Sequence, residues 1–347
     1  MDKNKLEQYR LTASIHTVGI RSVTKPLIPA TVSLDIVRSG YMQKTDMWTL
    51  RINPNKLAGD LFTYSEFCAA MHEICYKMKI ENPIYYRTDI RLDSYNDDFQ
   101  KYYKLNLLLI NLFSILFNDS NGQAVAHLLT CSKAFTDIST KNQYWEVKYY
   151  DKKLQTHDSD PAKARLEFRS LKSTNADGYA PHEIKEKWFE KLDRLPALYD
   201  NLQEHCNKAL HEAYREYCEY NKNGNSKRDN LTAFLSNYSY SMTIFTRKQL
   251  RAFLMECGVS ESAAEERAKY IIDKVHIEFF SQEDIKRYIA KIKNSMEDFF
   301  TCWYDKRGIF PLFWFLVKVS KPRYSKQFEE IFLRGINNYN SNEELRF

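Results

Sequence analysis

Tyr149-Tyr150-Asp151-Lys152-Lys153 is followed a short loop later by Arg165-Leu166-Glu167-Phe168-Arg169. The first run sets phenols beside lysines, and the second sets a carboxylate between arginines. A phenol becomes a protein nucleophile when a neighbour lowers its pKa or takes its proton. Cations beside it neutralise developing charge, and a carboxylate can hold a hard divalent ion. Together these are the parts needed to attack a phosphodiester. A third run, Tyr85-Tyr86-Arg87-Thr88-Asp89-Ile90-Arg91-Leu92-Asp93, adds carboxylates.

Those groups are useful only if strands present them together. A period of two puts Asp89, Arg91 and Asp93 on one face of a strand, with Thr88, Ile90 and Leu92 on the other. The same parity groups Lys148, Tyr150 and Lys152, and separately Arg165, Glu167 and Arg169. If the three polar faces are shared, one side of a sheet carries carboxylates, a tyrosine and several cations. Mg²⁺ or Mn²⁺ suits oxygen ligands of that kind. Four residues of strand span about 13 Å, so Asp89 and Asp93 cannot both ligate one ion on a straight strand. Asp89 with Glu167 is the favoured metal pair, with Asp93 in reserve. The competing reading is a solvated sheet face laced by cross-strand ion pairs. With 24 tyrosines in the chain, most are packing residues.

The positioning elements read as α+β. Alternating segments at about 9–17, 31–37, 47–52, 85–92, 144–150 and 164–170 predict an antiparallel or mixed sheet. Helix patterns at about 64–78 and 99–117 pack on one of its faces. From 183 to 221 the pattern is nearly continuous helix, breakable at Pro196, and beyond 230 it is mostly helical. Thr246 can cap a helix ending at Gly258, and Ser281 with Asp284 resembles a capping box. The expected divisions are 1–175 for the chemistry, 176–222 a long helical segment, 223–230 a linker and 231–347 a helical C-terminal region.

Hydrophobic content of 44% and charged content of 28% exclude wholesale disorder. The seven cysteines are scattered and never spaced CxxC, which predicts reduced thiols in a cytoplasm and neither a disulfide scaffold nor a zinc ribbon. The N-terminal residues carry no apolar signal core. The apolar run 105–117 contains Asn106, Asn111 and Ser114 and reads as a buried helix, not a membrane span. The net charge of +6 points weakly to a polyanion and is concentrated at 286–326, where ten Lys/Arg face three acids. Aromatics interleave with those cations, so that segment either binds DNA or packs as a hairpin with solvated basic edges.

Three blocks in this order resemble the Rep_trans family of rolling-circle plasmid initiators, and more loosely the filamentous-phage initiators. Leu50-Arg51-Ile52-Asn53-Pro54-Asn55-Lys56-Leu57 is similar to a family segment reading N-P-N-K-L. Thr88-Asp89-Ile90-Arg91-Leu92-Asp93 with Asn96-Asp97-Asp98 is similar to its R-L-D-x-x-x-D block, although Thr88 stands where the family has leucine. Tyr149-Tyr150-Asp151-Lys152-Lys153 with Arg165-Leu166-Glu167 is similar to its Y-[ND]-K-K … R-[VL]-E block. The resemblance covers roughly residues 45–172.

It implies a tyrosine endonuclease and strand transferase in a bacterial cytoplasm, with Tyr150 as nucleophile and Lys152 assisting it. Tyr149 offers a second hydroxyl, which parity turns away from Lys148 and Lys152. Asp89, Glu167 and Asp93 would hold Mg²⁺ or Mn²⁺. Arg91, Lys148, Lys153, Arg165 and Arg169 would contact DNA. The expected partners are single-stranded or hairpin origin DNA, a host helicase and polymerase, and a second copy of the chain. The rivals are a conjugative relaxase of the same family and a non-catalytic origin-binding protein.

Other motifs carry less. No His-hydrophobe-His motif is present. His205, Cys206 and His211 share a helical segment at a spacing that suits no standard zinc site. His157 lies between Tyr150 and Glu167 and can be a site or a surface-loop residue. Residues 249–267 resemble a helix-turn-helix, but a second helix opening with Glu261, Glu265 and Glu266 would repel phosphate, which favours a plain helical hairpin.

Overall fold

The computed structural model describes residues 10–28, 32–34, 36–58, 61, 63–95, 102–118, 137–157, 160–171, 180–220, 231, 233–235, 245–275 and 279–301. The fold is α+β: a seven-stranded antiparallel sheet with a helical C-terminal part. The strands are β1 (Thr12–Ser22), β2 (Val37–Met42), β3 (Met47–Ile52), β4 (Ile84–Ser94), β5 (Asp137–Lys141), β6 (Trp145–Asp151) and β7 (Ala164–Ser170). Across the sheet they run β2-β3-β1-β4-β7-β6-β5. The helices described are α1 (Pro54–Ala58), α2 (Tyr64–Lys77), α3 (Tyr103–Asn118), α4 (Lys152–Thr156), α5 (Pro181–Arg194), α6 (Tyr199–Tyr220), α7 (Arg247–Glu256), α8 (Glu261–Val275) and α9 (Gln282–Phe300). Among the described residues no helix is long and apolar enough to cross a membrane.

Some strands depart from the sequence pattern. The segment expected at 9–17 runs on to Ser22, and residues 32–34 and 36 are not in a strand. β2 instead begins at Val37 and forms a hairpin with β3, closed through Asp46 in the left-handed region. The expected linker at 223–230, Asn96-Asp97-Asp98, and residues 302–326 of the basic segment lie outside the described residues.

The chain gathers into two compact units. One joins Ala13–Thr88 to Met296–Phe347. Its core sets Val18, Ile20, Leu50 and Ile52 of β1 and β3 with Phe67, Met71 and Ile74 of α2, all buried. A capping box starts α2: the Thr63 hydroxyl accepts from the Glu66 amide at 3.2 Å, and the Glu66 carboxylate accepts from the Thr63 amide at 3.0 Å.

The other unit joins Met1–Thr12 to Asp89–Ser295. On one face of β4, β7 and β6 lie Ile90, Leu92, Leu166, Phe168, Val147 and Tyr149, all buried. Helices α3 and α5 meet that face through an aromatic cluster. Trp188 is 5.0 Å from both Phe168 and Trp145 between ring centroids and 6.0 Å from Phe113. Inside α3, Asn106 is satisfied: it donates to the Tyr102 carbonyl at 3.0 Å and accepts from the Tyr288 hydroxyl at 2.7 Å, whereas Asn111 donates to the Leu107 carbonyl at 2.7 Å and its Oδ1 has no partner among the described residues. The long helical pattern breaks at Pro196, where a 3₁₀ turn (Leu195–Leu198) separates α5 from α6. Ser281 and Asp284 cap α9 reciprocally. Gly258, with φ of 89°, turns α7 toward α8, which no ordinary side chain does without strain.

Candidate active site

The register of β4, β7 and β6 decides which polar groups meet. Asp89, Arg91 and Asp93 lie opposite Arg169, Glu167 and Arg165. Glu146, Lys148 and Tyr150 lie opposite Arg169, Glu167 and Arg165 from the other side. All nine therefore share one face, the reverse of the face under α3 and α5. Tyr149, opposite Leu166, points into the core.

This face is buried at its centre. Asp89, Asp93, Arg165 and Glu167 are each no more than 2% exposed, and Tyr150 is 4% exposed. Burying charge is costly unless each group is paired, and here the groups are paired closely. Arg165 grips Asp93 with two bonds, from Nε to Oδ1 and from Nη2 to Oδ2 at 2.9 Å. Arg91 Nε is 3.2 Å from Asp93 Oδ2. The Tyr150 hydroxyl donates to Glu167 Oε1 at 2.6 Å, and Arg169 Nε donates to Glu167 Oε2 at 2.6 Å. Arg169 also reaches Glu146 at 3.2 Å. Toward the β5 edge the face opens: Lys148, 5.4 Å from the Tyr150 ring, is held by Asp137 at 2.7 Å.

Lys152 is not on a strand. β6 ends at Asp151, whose carboxylate caps α4 by accepting from the Leu154 amide at 2.9 Å. Lys152 is the first residue of that helix; its Nζ lies 3.2 Å from Gln155 Oε1 and 3.6 Å from Asp160 Oδ2. Lys153 is exposed on the same turn, and His157 is its exposed left-handed C-cap. Asp160 also pairs with Arg165 at 3.4 Å. Glu146 shares the parity of Lys148 and Tyr150, which is the signal for it; Asp160 lies in the loop that feeds β7, where parity says nothing, and its signal is an acid directly before Pro161.

Burial pushes the Tyr150 phenol far above its ordinary range, the Glu167 carboxylate pushes it further, and Arg165 pulls it down. The phenol is therefore held protonated. Burial would strip the Arg165 proton, but Asp93 outweighs it and keeps the guanidinium charged. Burial and then repulsion from Arg165 lower Lys152. Burial would raise Asp160, yet the Ala162 amide, Arg165 and Lys152 together hold it low.

A Mg²⁺ or Mn²⁺ ion needs oxygen ligands that converge on one point. Glu167 is a diagonal neighbour of both Asp89 and Asp93, a separation of about 7–8 Å between backbones. Both oxygens of Glu167 and both of Asp93 already accept from arginines or Tyr150. Among the described residues no three His, Cys, Asp or Glu side chains converge as a metal-binding group. As arranged, these carboxylates do not fit a dication, because Arg91, Arg165 and Arg169 already balance Asp89, Asp93 and Glu167.

Two other sequence features resolve into structure. The N-P-N-K-L segment forms α1, where buried Asn55 donates to the Ile15 carbonyl at 2.6 Å and accepts from the Leu61 amide at 3.0 Å. Residues 249–267 form a helical hairpin. Glu261 and Glu265, which would have faced DNA, are paired with Arg251 at 2.9 Å and Arg247 at 2.6 Å. No protein-family model, curated protein or solved structure matches the chain.

Proposed function

We propose that the protein is a rolling-circle replication initiator that nicks an origin strand through Tyr150. The observation that carries this is the Tyr150 hydroxyl donating to Glu167 with the Arg165 guanidinium alongside: a nucleophile, its base and a cation in one constellation. In the step, the phenolic proton passes to Glu167 as Oη bonds to phosphorus. The bond from phosphorus to the 3′ oxygen breaks, and that oxygen takes up a proton. The products are a 5′-phosphotyrosine and a 3′-OH that primes synthesis by the host helicase and polymerase. Arg165 and Lys152 offset charge on the phenolate and the phosphate. A relaxase of a mobile element would use the same step.

A second reading has its own observation. The network is closed, with Arg165 and Glu167 buried and every carboxylate that was assigned a role engaged. That supports a protein without nicking activity, whose polar sheet face is a structural ion-pair core.

The deciding experiment incubates the purified chain with a labelled single strand from its own replicon, with Mn²⁺ and with a chelator in its place. A covalent adduct that disappears in Tyr150→Phe is the expected result. An adduct that persists in Tyr150→Phe refutes the assignment. No adduct on any strand of the replicon selects the second reading.

A further inference from the structure

The face of β1, β3 and β2 opposite to Val18, Ile20, Leu50 and Ile52 is a second basic surface, in the Ala13–Thr88 unit. Its composition follows from the register. Arg38 lies directly opposite Arg51, Gly40 opposite Thr49, Gly19 opposite Arg51 and Arg21 opposite Thr49. The alternate positions Val18, Ile20, Leu50, Ile52 and Val37 are all at most 1% exposed and form the core side. Arg21, Arg38 and Arg51 therefore share the outer face, and β1, β2 and β3 contain no acidic residue.

Two like charges directly opposite on neighbouring strands repel each other. Arg38 and Arg51 are exposed. Among the described residues Arg38 bonds through Nε, to the Leu34 carbonyl at 3.0 Å. Beside them the surface is kept low. A Cβ at Gly40 would meet only the Thr49 hydroxyl oxygen, at 3.6 Å. At Gly19 the reason differs: a Cβ there would lie 2.6 Å from Cζ of Tyr86, so the tyrosine ring rests on bare backbone. The Arg21 guanidinium sits 5.2 Å from the centre of that ring.

We infer that this face binds single-stranded nucleic acid, with phosphates on Arg38 and Arg51 and a base stacked on Tyr86. Paired arginines over an acid-free strand surface are complementary to a phosphate chain. An aromatic ring lying on the sheet supplies the sequence-tolerant platform that single strands use. The inference does not rest on nicking by Tyr150, which lies in the other unit.

Fluorescence anisotropy of the full chain with a labelled mixed-sequence 20-mer tests it, at several salt concentrations, in a Tyr150→Phe background so that no adduct interferes. Each phosphate contact on a single strand contributes about 0.7 to the slope of log affinity against log salt. Arg38→Gln with Arg51→Gln is expected to flatten that slope by about 1.4 and to weaken binding at low salt, with the melting temperature unchanged because both side chains are exposed. Tyr86→Leu is expected to weaken binding roughly five- to 150-fold with the slope retained. An unchanged slope and affinity in the double variant overturn the inference. So does equal loss of binding to phosphatidylserine vesicles in that variant, since the surface would then be reading a lipid headgroup. A wild-type chain that binds duplex as tightly as single strand overturns the stacking role. Failure of nicking leaves all of these readings unaffected.

Discussion

Removing the Asp93 carboxylate isolates what the buried network contributes. Asp93 and Arg165 are 2% and 1% exposed, and two bonds join them. In Asp93→Asn the Arg165 charge stays buried, with Asp160 at 3.4 Å as its remaining carboxylate partner. Orphaning one member of a buried pair costs about 3–5 kcal/mol. Asp160 is only partly buried and recovers some of that, so the expected loss is about 3 kcal/mol. With a urea slope of about 3 kcal/mol per molar, the unfolding midpoint falls by roughly 1 M. Arg165→Met should cost a similar amount, because it removes both bonds to the buried Asp93 carboxylate and leaves it Arg91 at 3.2 Å. The double replacement Asp93→Asn with Arg165→Met removes both charges and should cost far less than the two losses added together. Urea unfolding of the four proteins followed by fluorescence measures the cycle. A midpoint shift below about 0.3 M in Asp93→Asn, or strict additivity in the double variant, would refute the claim that the pair acts as one buried unit.

Three further outcomes are expected. Glu167→Gln removes the proton acceptor of Tyr150 and, on the proposed reading, slows adduct formation about 10²- to 10⁴-fold; a single-turnover rate within threefold of wild type would show that Glu167 is not the base. Gly19→Ala forces a Cβ to within 2.8 Å of the Arg87 Cβ as well as onto Tyr86, and should cost about 1–3 kcal/mol in thermal unfolding; an unchanged melting temperature would mean that the Tyr86 ring moves freely. Burial holds the Lys191 ammonium down to about 8 from an ordinary 10.5, while the Trp145 ring 3.9 Å away favours the charged form. Between those values the unfolded chain binds more protons, so stability attributable to Lys191 rises with pH across the window and is lost as pH falls through about 8. Lys191→Met should flatten that rise, and a lysine resonance titrating near 10 would show that the ring wins over burial.

How far the sequence carried the reading varies by element. β3 and β7 have the bounds that the pattern predicts, and in β7 every residue but Arg169 is buried. β2 and β5 are edge strands. In Val37–Met42 only Val37 is buried, and in Asp137–Lys141 the inward groups are Ile138 and Thr140, so neither shows enough apolar alternation to be read. The shared polar face was legible because parity alone fixes it once β4, β7 and β6 are neighbours. Its burial was not legible. Nothing in R-L-E-F-R reveals that Glu167 is sealed and Arg165 clamped, because that depends on long-range pairing to Asp93 and Asp160. Lys152 was misplaced by extending the strand period one residue too far. The aspartate before it is an N-cap residue, and the preference of aspartate for that position was the overlooked signal.

The charge balance of the face also bears on how it would act. Three carboxylates on β4 and β7 face three arginines, so the closed network is neutral and self-satisfied. A phosphodiester adds negative charge, and its oxygens compete for the same guanidinium groups. On the proposed reading, the strand enters only by drawing Arg169 or Arg165 away from its carboxylate. That exchange strengthens Glu167 as a base just when Tyr150 must lose its proton, because the cation that suppressed its basicity has moved to the phosphate. The same exchange frees the carboxylate oxygens that a Mg²⁺ or Mn²⁺ ion would need, so any demand for metal should show itself only with DNA bound. Metal affinity measured with and without the strand separates the cases: binding that is equally tight to the free chain would contradict a network whose carboxylates are already spent on arginine.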